Sequence, residues 1–183
     1  AANNTATCSY TVTITDNINP TITCPLNMSA NTSASCTASV VTPNPTFADN
    51  CSVTKLTWAL TGATALSSAA TGINYMGTQT FNRGITTATY RVEDAAGNFT
   101  TCSFTVTVVD NIAPTVSLSN VTAQCSITLT APTASDNCAG TVTGTTNDPT
   151  TYNSQGTFVV TWAFNDGNGN VTTRTQNVII DDT

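Results

Sequence analysis

Histidine is absent from the 183 residues, and only four side chains are basic: Lys55, Arg83, Arg91 and Arg174. Without histidine the chain cannot assemble a Ser-His or Cys-His nucleophile pair, nor a zinc site of the histidine type. Ten acidic residues bring the net charge to −6, and the clustered Lys and Arg that phosphate backbones require are missing, which excludes nucleic acid as a partner. No apolar run reaches the roughly 20 residues of a membrane span. No window holds a helical period of apolar residues over three turns. The seven cysteines include no Cys-x-x-Cys pair, so they read as disulfide formers of an oxidising compartment outside the cytosol. Gly167-Asn168-Gly169 opens no helix, which removes a phosphate-cradling reading. Together these absences predict a protein that is not an enzyme.

What remains is β-type sequence. Thr, Val, Phe and Tyr recur in alternating runs such as Phe104-Thr105-Val106-Thr107-Val108, and β-branched residues at period two predict half-buried strands. The chain is expected to be all-β. The phrase Val108-Val109-Asp110-Asn111-Ile112-Ala113-Pro114 organises it, because Thr13-Ile14-Thr15-Asp16-Asn17-Ile18-Asn19-Pro20 states it earlier and Val178-Ile179-Ile180-Asp181-Asp182-Thr183 begins it again. A β-run that ends in an Asp-rich joint three times is a tandem array. Residues 1–16 are therefore expected to be the last strand of a preceding unit. Thr7-Cys8-Ser9-Tyr10 runs position for position like Thr101-Cys102-Ser103-Phe104, so the sequence is expected to be a piece of something longer. Residues 17–110 form one unit and residues 111–183 a second, shorter one. Each has seven or so short strands separated by turn signals, the pattern of a two-sheet sandwich. In the run Phe158 to Phe164, Phe158, Val160, Trp162 and Phe164 share the core face, with Tyr90 as the counterpart of Trp162.

Aligned, the two units place their acids in columns. The joint supplies Asp16, Asp110 and Asp181. The Asp-Asn-Cys loop supplies Asp49 and Asp136. The turn before the last strand supplies Asp94 with Asn98, and Asp166 with Asn170. In a Greek-key sandwich these three segments meet at one end of the domain. Carboxylates gathered there repel unless a cation offsets them, and oxygen ligands without histidine favour Ca²⁺ over a transition metal. One site is expected from Asp16, Asn17, Asp49, Asp94 and Asn98, and another from Asp110, Asn111, Asp136, Asp166 and Asn170. The competing reading is that Asp, Asn and Gly simply make turns.

Cys36 and Cys51 have counterparts in Cys125 and Cys138, whereas Leu118 and Arg174 stand where the first unit has Cys24 and Cys102. Two cysteines missing together suggest a Cys24–Cys102 bond. That leaves Cys36–Cys51 and Cys125–Cys138 as expected pairs, with Cys51–Cys102 an alternative, and Cys8 as the partner of a cysteine in a preceding unit.

The run Pro20 to Pro25 (Pro-x-Ile-x-Cys-Pro), Ala48 to Cys51, Tyr90 to Asn98, and Cys102 to Asp110 resembles the HYR (hyalin repeat) family of immunoglobulin-like modules. The second unit keeps Ser135-Asp136-Asn137-Cys138 and Asp166 to Asn170 but not the Cys-Pro opening. The resemblance implies tandem immunoglobulin-like sandwiches with acidic joints, of the kind strung along large bacterial surface adhesins. It points to an extracellular, cell-surface setting and to adhesion and spacing rather than chemistry. The expected function is a calcium-stiffened, disulfide-stapled stalk segment. Its partners would be neighbouring repeats or further copies, and surface glycans or a host or substratum ligand. Two alternatives stand beside it: a filament subunit in which residues 1–15 complete a neighbour's sheet, and a carbohydrate-binding module with Trp58, Tyr75 and Phe81 as its platform.

Overall fold

The computed structural model describes residues 1–181; Asp182 and Thr183, which continue the third joint phrase, lie outside the described residues. No helix occurs among the described residues. Residues 17–110 carry β1 (Thr21–Thr23), β2 (Met28–Asn31), β3 (Thr37–Val41), β4 (Thr46–Ala48), β5 (Val53–Gly62), β6 (Leu66–Ser67), β7 (Thr78–Asn82), β8 (Gly84–Asp94) and β9 (Phe99–Val109). The following stretch carries β10 (Val121–Ala123), β11 (Ile127–Thr128), β12 (Thr133–Asp136), β13 (Gly140–Thr143), β14 (Thr151–Tyr152), β15 (Gly156–Asn165) and β16 (Val171–Ile180).

The larger sheet of the first module runs β2-β9-β8-β5-β6, and β3-β7 and β1-β4 lie apart from it. β2 is parallel to β9, while β8 is antiparallel to both β5 and β9. The second module repeats the frame as β10-β16-β15, again with a short strand, β10, parallel to its last, beside β11-β14 and β12-β13. This is the immunoglobulin-like sandwich in two successive copies. Even a detail of the joint recurs: the Thr21 hydroxyl donates to Ala48 O at 3.1 Å and the Thr115 hydroxyl to Ser135 O at 3.1 Å.

Each module has its own core. Leu56, Phe81, Tyr90, Val92 and Val106 are fully buried in the first, and Val160, Phe164 and Val178 in the second, around Trp162. Strand parity then settles where the acids go. Along β8 the inward residues are Ala88, Tyr90 and Val92, and the next inward position is Asp94; along β9, Phe104, Val106 and Val108 lead to Asp110. In the second module Val160, Trp162 and Phe164 lead to Asp166. A period of two thus delivers a carboxylate to the rim of each core.

Ala1–Thr15, expected as a strand, pairs with nothing and is assigned to no strand among the described residues. A lone strand has no sheet edge to satisfy its backbone groups. Its Tyr10, Val12 and Ile14 are exposed, although their counterparts Phe104, Val106 and Val108 are buried.

Two expected disulfides are corrected. Cys24–Cys102 is bonded, with Cα atoms 5.7 Å apart. Cys36, however, bonds not to Cys51 but to Cys138 of the second module, with Cα atoms 4.9 Å apart, and Cys51 and Cys125 are free and exposed, as is Cys8. The reason is the length of the sandwich. Cys36 follows β2, whose end lies opposite Val109 at the Asp110 end of the module, whereas Cys51 neighbours Asp49 at the Asp16 end. The 11 residues of β8 or β9 separate those ends by roughly 35 Å at ~3.3 Å per residue, far beyond disulfide reach. The second module separates Cys125 and Cys138 in the same way.

Candidate metal centres at the joints

The linker before each module, the loop after β4 or β12, and the turn after β8 or β15 converge at one end. Asp16, Asp49 and Asp94 each offer a carboxylate oxygen, and these oxygens all lie within 4.8 Å of one another; Asp110, Asp136 and Asp166 form a second triad on the same criterion. The only ion pairs among the described residues are those of Glu93 with Lys55 and Arg91, so no basic side chain neutralises either triad.

Local hydrogen bonds hold each carboxylate in place, and they recur from one triad to the other. Asp16 accepts from Ile18 N and Asp110 from Ile112 N, at 3.1 and 3.2 Å. Asp49 accepts from Cys51 N at 3.0 Å; Asp136 accepts from Cys138 N at 2.8 Å and from Ala139 N at 2.7 Å. Asp94 accepts from Asn98 N and Nδ2 at 2.8 and 2.7 Å, and Asp166 from Asn170 N and Nδ2 at 3.1 and 2.6 Å. These turns need a left-handed residue just before the asparagine, supplied by Gly97 at φ 95° and Gly169 at φ 102°. The backbone N–H of Ile18, the Cys51 thiol and the Asn50 amide hold Asp16 below the usual carboxylate range. Burial pushes Asp166 upward, but the bonds from Asn170 and Asn168 outweigh it and the net shift is downward.

One buried oxygen per triad has no partner. Asp49 Oδ1 and Asp136 Oδ2 are buried and unbonded, at equivalent positions in the two modules. A buried carboxylate oxygen facing two further carboxylates, with no donor, is costly. An oxygen-only set of this kind suits a hard divalent cation.

The expected asparagines divide. Asn98 and Asn170 reach the triads, but each donates its amide N–H to the neighbouring aspartate and to the joint backbone, Asp16 O or Asp110 O, at 3.2 Å. In this arrangement they clamp the carboxylates, and a ligand role requires the amide to turn over. Asn17 and Asn111 are exposed and make no side-chain hydrogen bond to either triad among the described residues.

Other residues at the second joint lie outside that expectation. Thr32 donates to Asp110 Oδ1 at 3.2 Å, Asn168 Nδ2 to Asp110 Oδ2 at 3.0 Å, and Arg83 to Asn168 Oδ1 at 2.7 Å. Asn137 Nδ2 crosses from the second module to Ser33 O of the first at 3.0 Å. Asn137 and Asn50 share the middle place of the Asp-Asn-Cys loop, a repeat visible in the sequence; Thr32 and Arg83 belong to no motif. Asp148, which belongs to none of the three columns, accepts from Thr161 N at 2.6 Å on β15. The aromatic platform does not form: Trp58 and Phe81 are buried at 7% and 0% exposure, leaving Tyr75 alone at 49%.

The family profile of the HYR domain matches residues 15–108. Hyalin of Strongylocentrotus purpuratus is 38% identical over 120 residues, which cover 57% of this chain but only 10% of hyalin's length. Among solved structures, Drosophila N-cadherin EC1-4 superposes with a TM-score of 0.43 at 11% identity, over 90% of this chain and 50% of that one. DIP-gamma IG1+IG2 gives 0.37 at 10% identity, over 91% and 99%. These structural likenesses concern the fold alone.

Proposed function

The chain belongs to the HYR domain family, and we propose that it is a calcium-stiffened, non-catalytic stalk segment of a secreted or surface-anchored bacterial adhesin. In this reading residues 17–110 and 111–183 are successive modules and residues 1–16 the closing strand of another. The observation that carries it is the pair of aspartate triads, one at each joint, each with an orphaned buried oxygen at the same position. A cation there would draw together the linker and two loops of the following module, fixing the angle between neighbours. The ion supplies charge compensation; the chain supplies carboxylates already oriented by backbone N–H groups. Two disulfides support an oxidising, extracellular setting. The partners this assigns are adjoining repeats, or further copies of the chain. Glycan recognition loses its aromatic platform with the burial of Trp58 and Phe81.

Calcium titration tests the reading. At free calcium about 100 times the dissociation constant, each site adds about 2.7 kcal/mol, so the melting temperature rises and the scattering profile lengthens relative to the protein in EDTA. Asp136→Asn with Asp166→Asn should abolish the second joint's share of both effects. Identical profiles with and without EDTA would sink the proposal.

A second reading rests on the exposed apolar side of Tyr10, Val12 and Ile14. In a filament, that segment would complete the sheet of a neighbouring copy. Concentration-dependent assembly that deletion of residues 1–15 abolishes would favour it.

A further inference from the structure

The two thiols left free at the module ends are equivalent to the two that have bonded. Cys36 and Cys125 both occupy the turn after the short strand that runs parallel to the module's last strand, and both adopt left-handed φ, 59° and 52°. β2 ends opposite Val109, just before Asp110, and β10 ends opposite Ile180, just before Asp181, so each turn sits beside the outgoing joint. Cys51 and Cys138 both follow an Asp-Asn pair. Each donates its backbone N–H to the aspartate, at 3.0 and 2.8 Å, and each sulfur accepts from the adjacent asparagine Nδ2 at 3.3 Å. Within this chain the first kind of cysteine, Cys36, is bonded across the joint to the second kind, Cys138. The bond is therefore a property of the joint and not of a module.

We propose that Cys125 and Cys51 are the two halves of further staples of this kind: Cys125 bonds the Asp-Asn-Cys cysteine of an adjoining module, and Cys51 bonds the left-handed cysteine of the module on its other side. The recognised partner is a module of the same type, docked through an aspartate joint. Each bond forms as two thiols give up two protons and two electrons to a disulfide oxidant, which leaves as two thiols. Every joint so equipped is then crossed twice by covalent bonds, once by the linker and once by sulfur. The inference rests on the tandem-array part of the proposed function but not on its calcium.

The full chain, continued in register so that Asp181 runs directly into Asn17 of a second copy, provides the test. After refolding with glutathione disulfide and alkylation of remaining thiols, nonreduced peptides are mapped by mass spectrometry. The dominant species should carry Cys36–Cys138 within each copy and a new bond from Cys125 of the first copy to Cys51 of the second, in calcium and in EDTA alike. Because the calcium reading is tested by stiffness and this one by connectivity, failure of either is distinguishable from failure of the other. Cys51→Ser in the second copy should leave Cys125 of the first fully alkylated. Alkylation of both thiols in the unmutated protein beside intact Cys36–Cys138 would overturn the proposal. So would a Cys51–Cys125 bond within one copy, or absence of the Cys36–Cys138 bond that serves as its template.

Discussion

The two modules share one frame and hold it together differently. The first gathers thirteen buried apolar residues and an internal disulfide; the second gathers eight and has none. Register shows how the substitution works: Tyr90 lies opposite Cys102 on the neighbouring strand, and Trp162 lies opposite Arg174 at the equivalent place. Where the first module crosslinks its sheets, the second inserts a larger ring. That ring is also the better satisfied of the two tryptophans, since Trp162 Nε1 donates to Gln176 at 3.0 Å while the buried Trp58 Nε1 has no partner. The lesson is that a thin sandwich survives without an internal crosslink when one large, hydrogen-bonded aromatic fills its centre and a neighbour is tethered to it.

The comparison can be broken most forcefully at the first module's own disulfide. Cys24→Ser with Cys102→Ser opens a loop of sequence separation 78, which in the chain-entropy account removes about 4.5 kcal/mol. Chemical denaturation should show the first module falling to or below the stability of the second, with the Cys36–Cys138 bond intact. Slightly smaller is the effect of Trp162→Ala, a loss of about 4 kcal/mol from cavity formation in the smaller core. Hydrogen exchange should show β15 and β16 exposed while β8 and β9 stay protected; equal loss in both modules would mean that they share one cooperative unit. The mildest change is Tyr90→Phe, at about 1 kcal/mol near neutral pH, from the hydrogen bond that Tyr90 Oη accepts from Met76 N at 3.2 Å. This phenol also adds a pH dependence. Burial raises its pKa above the ordinary 10.0, so its contribution is complete below pH 10.0 and is lost as pH climbs through the raised value. Urea midpoints measured upward from pH 9 should fall more steeply for the wild type than for the phenylalanine variant.

Much of this design is legible in the residues. Alternation along Phe104-Val106-Val108 and Tyr90-Val92 predicts strands, and the same parity carried one step further places Asp110 and Asp94 at the core rim. The joint phrase fixes which loops face each other, which is how six aspartates separated by as many as 78 positions can be grouped before any coordinates exist. Cys24 and Cys102 betray themselves by being replaced together, by Leu118 and Arg174. The sulfur bridge between modules is not legible in that way. Aligning repeats invites pairing within a repeat, yet Cys36 and Cys51 lie at opposite ends of one sandwich, and only the stacking of modules brings Cys36 to Cys138. The roles of Thr32 and Arg83 are hidden for the same reason, because each acts on a neighbour that no local pattern names. Asn98 and Asn170 teach a finer point: sequence can place an amide at a cluster, but not decide whether its oxygen or its nitrogen turns inward.

The Cys36–Cys138 bridge also sets how the molecule answers a pull. Force applied along the chain passes through the sulfur atoms and bypasses everything from β3 to β12. The 102 positions between the two cysteines would release about 350 Å of slack if they unravelled, at ~3.4 Å per extended residue. Locked out of the load path, that length stays in reserve until a reductant cuts both this bridge and the Cys24–Cys102 bond, so extensibility under tension is governed by thiol chemistry rather than by how firmly the first sandwich is packed.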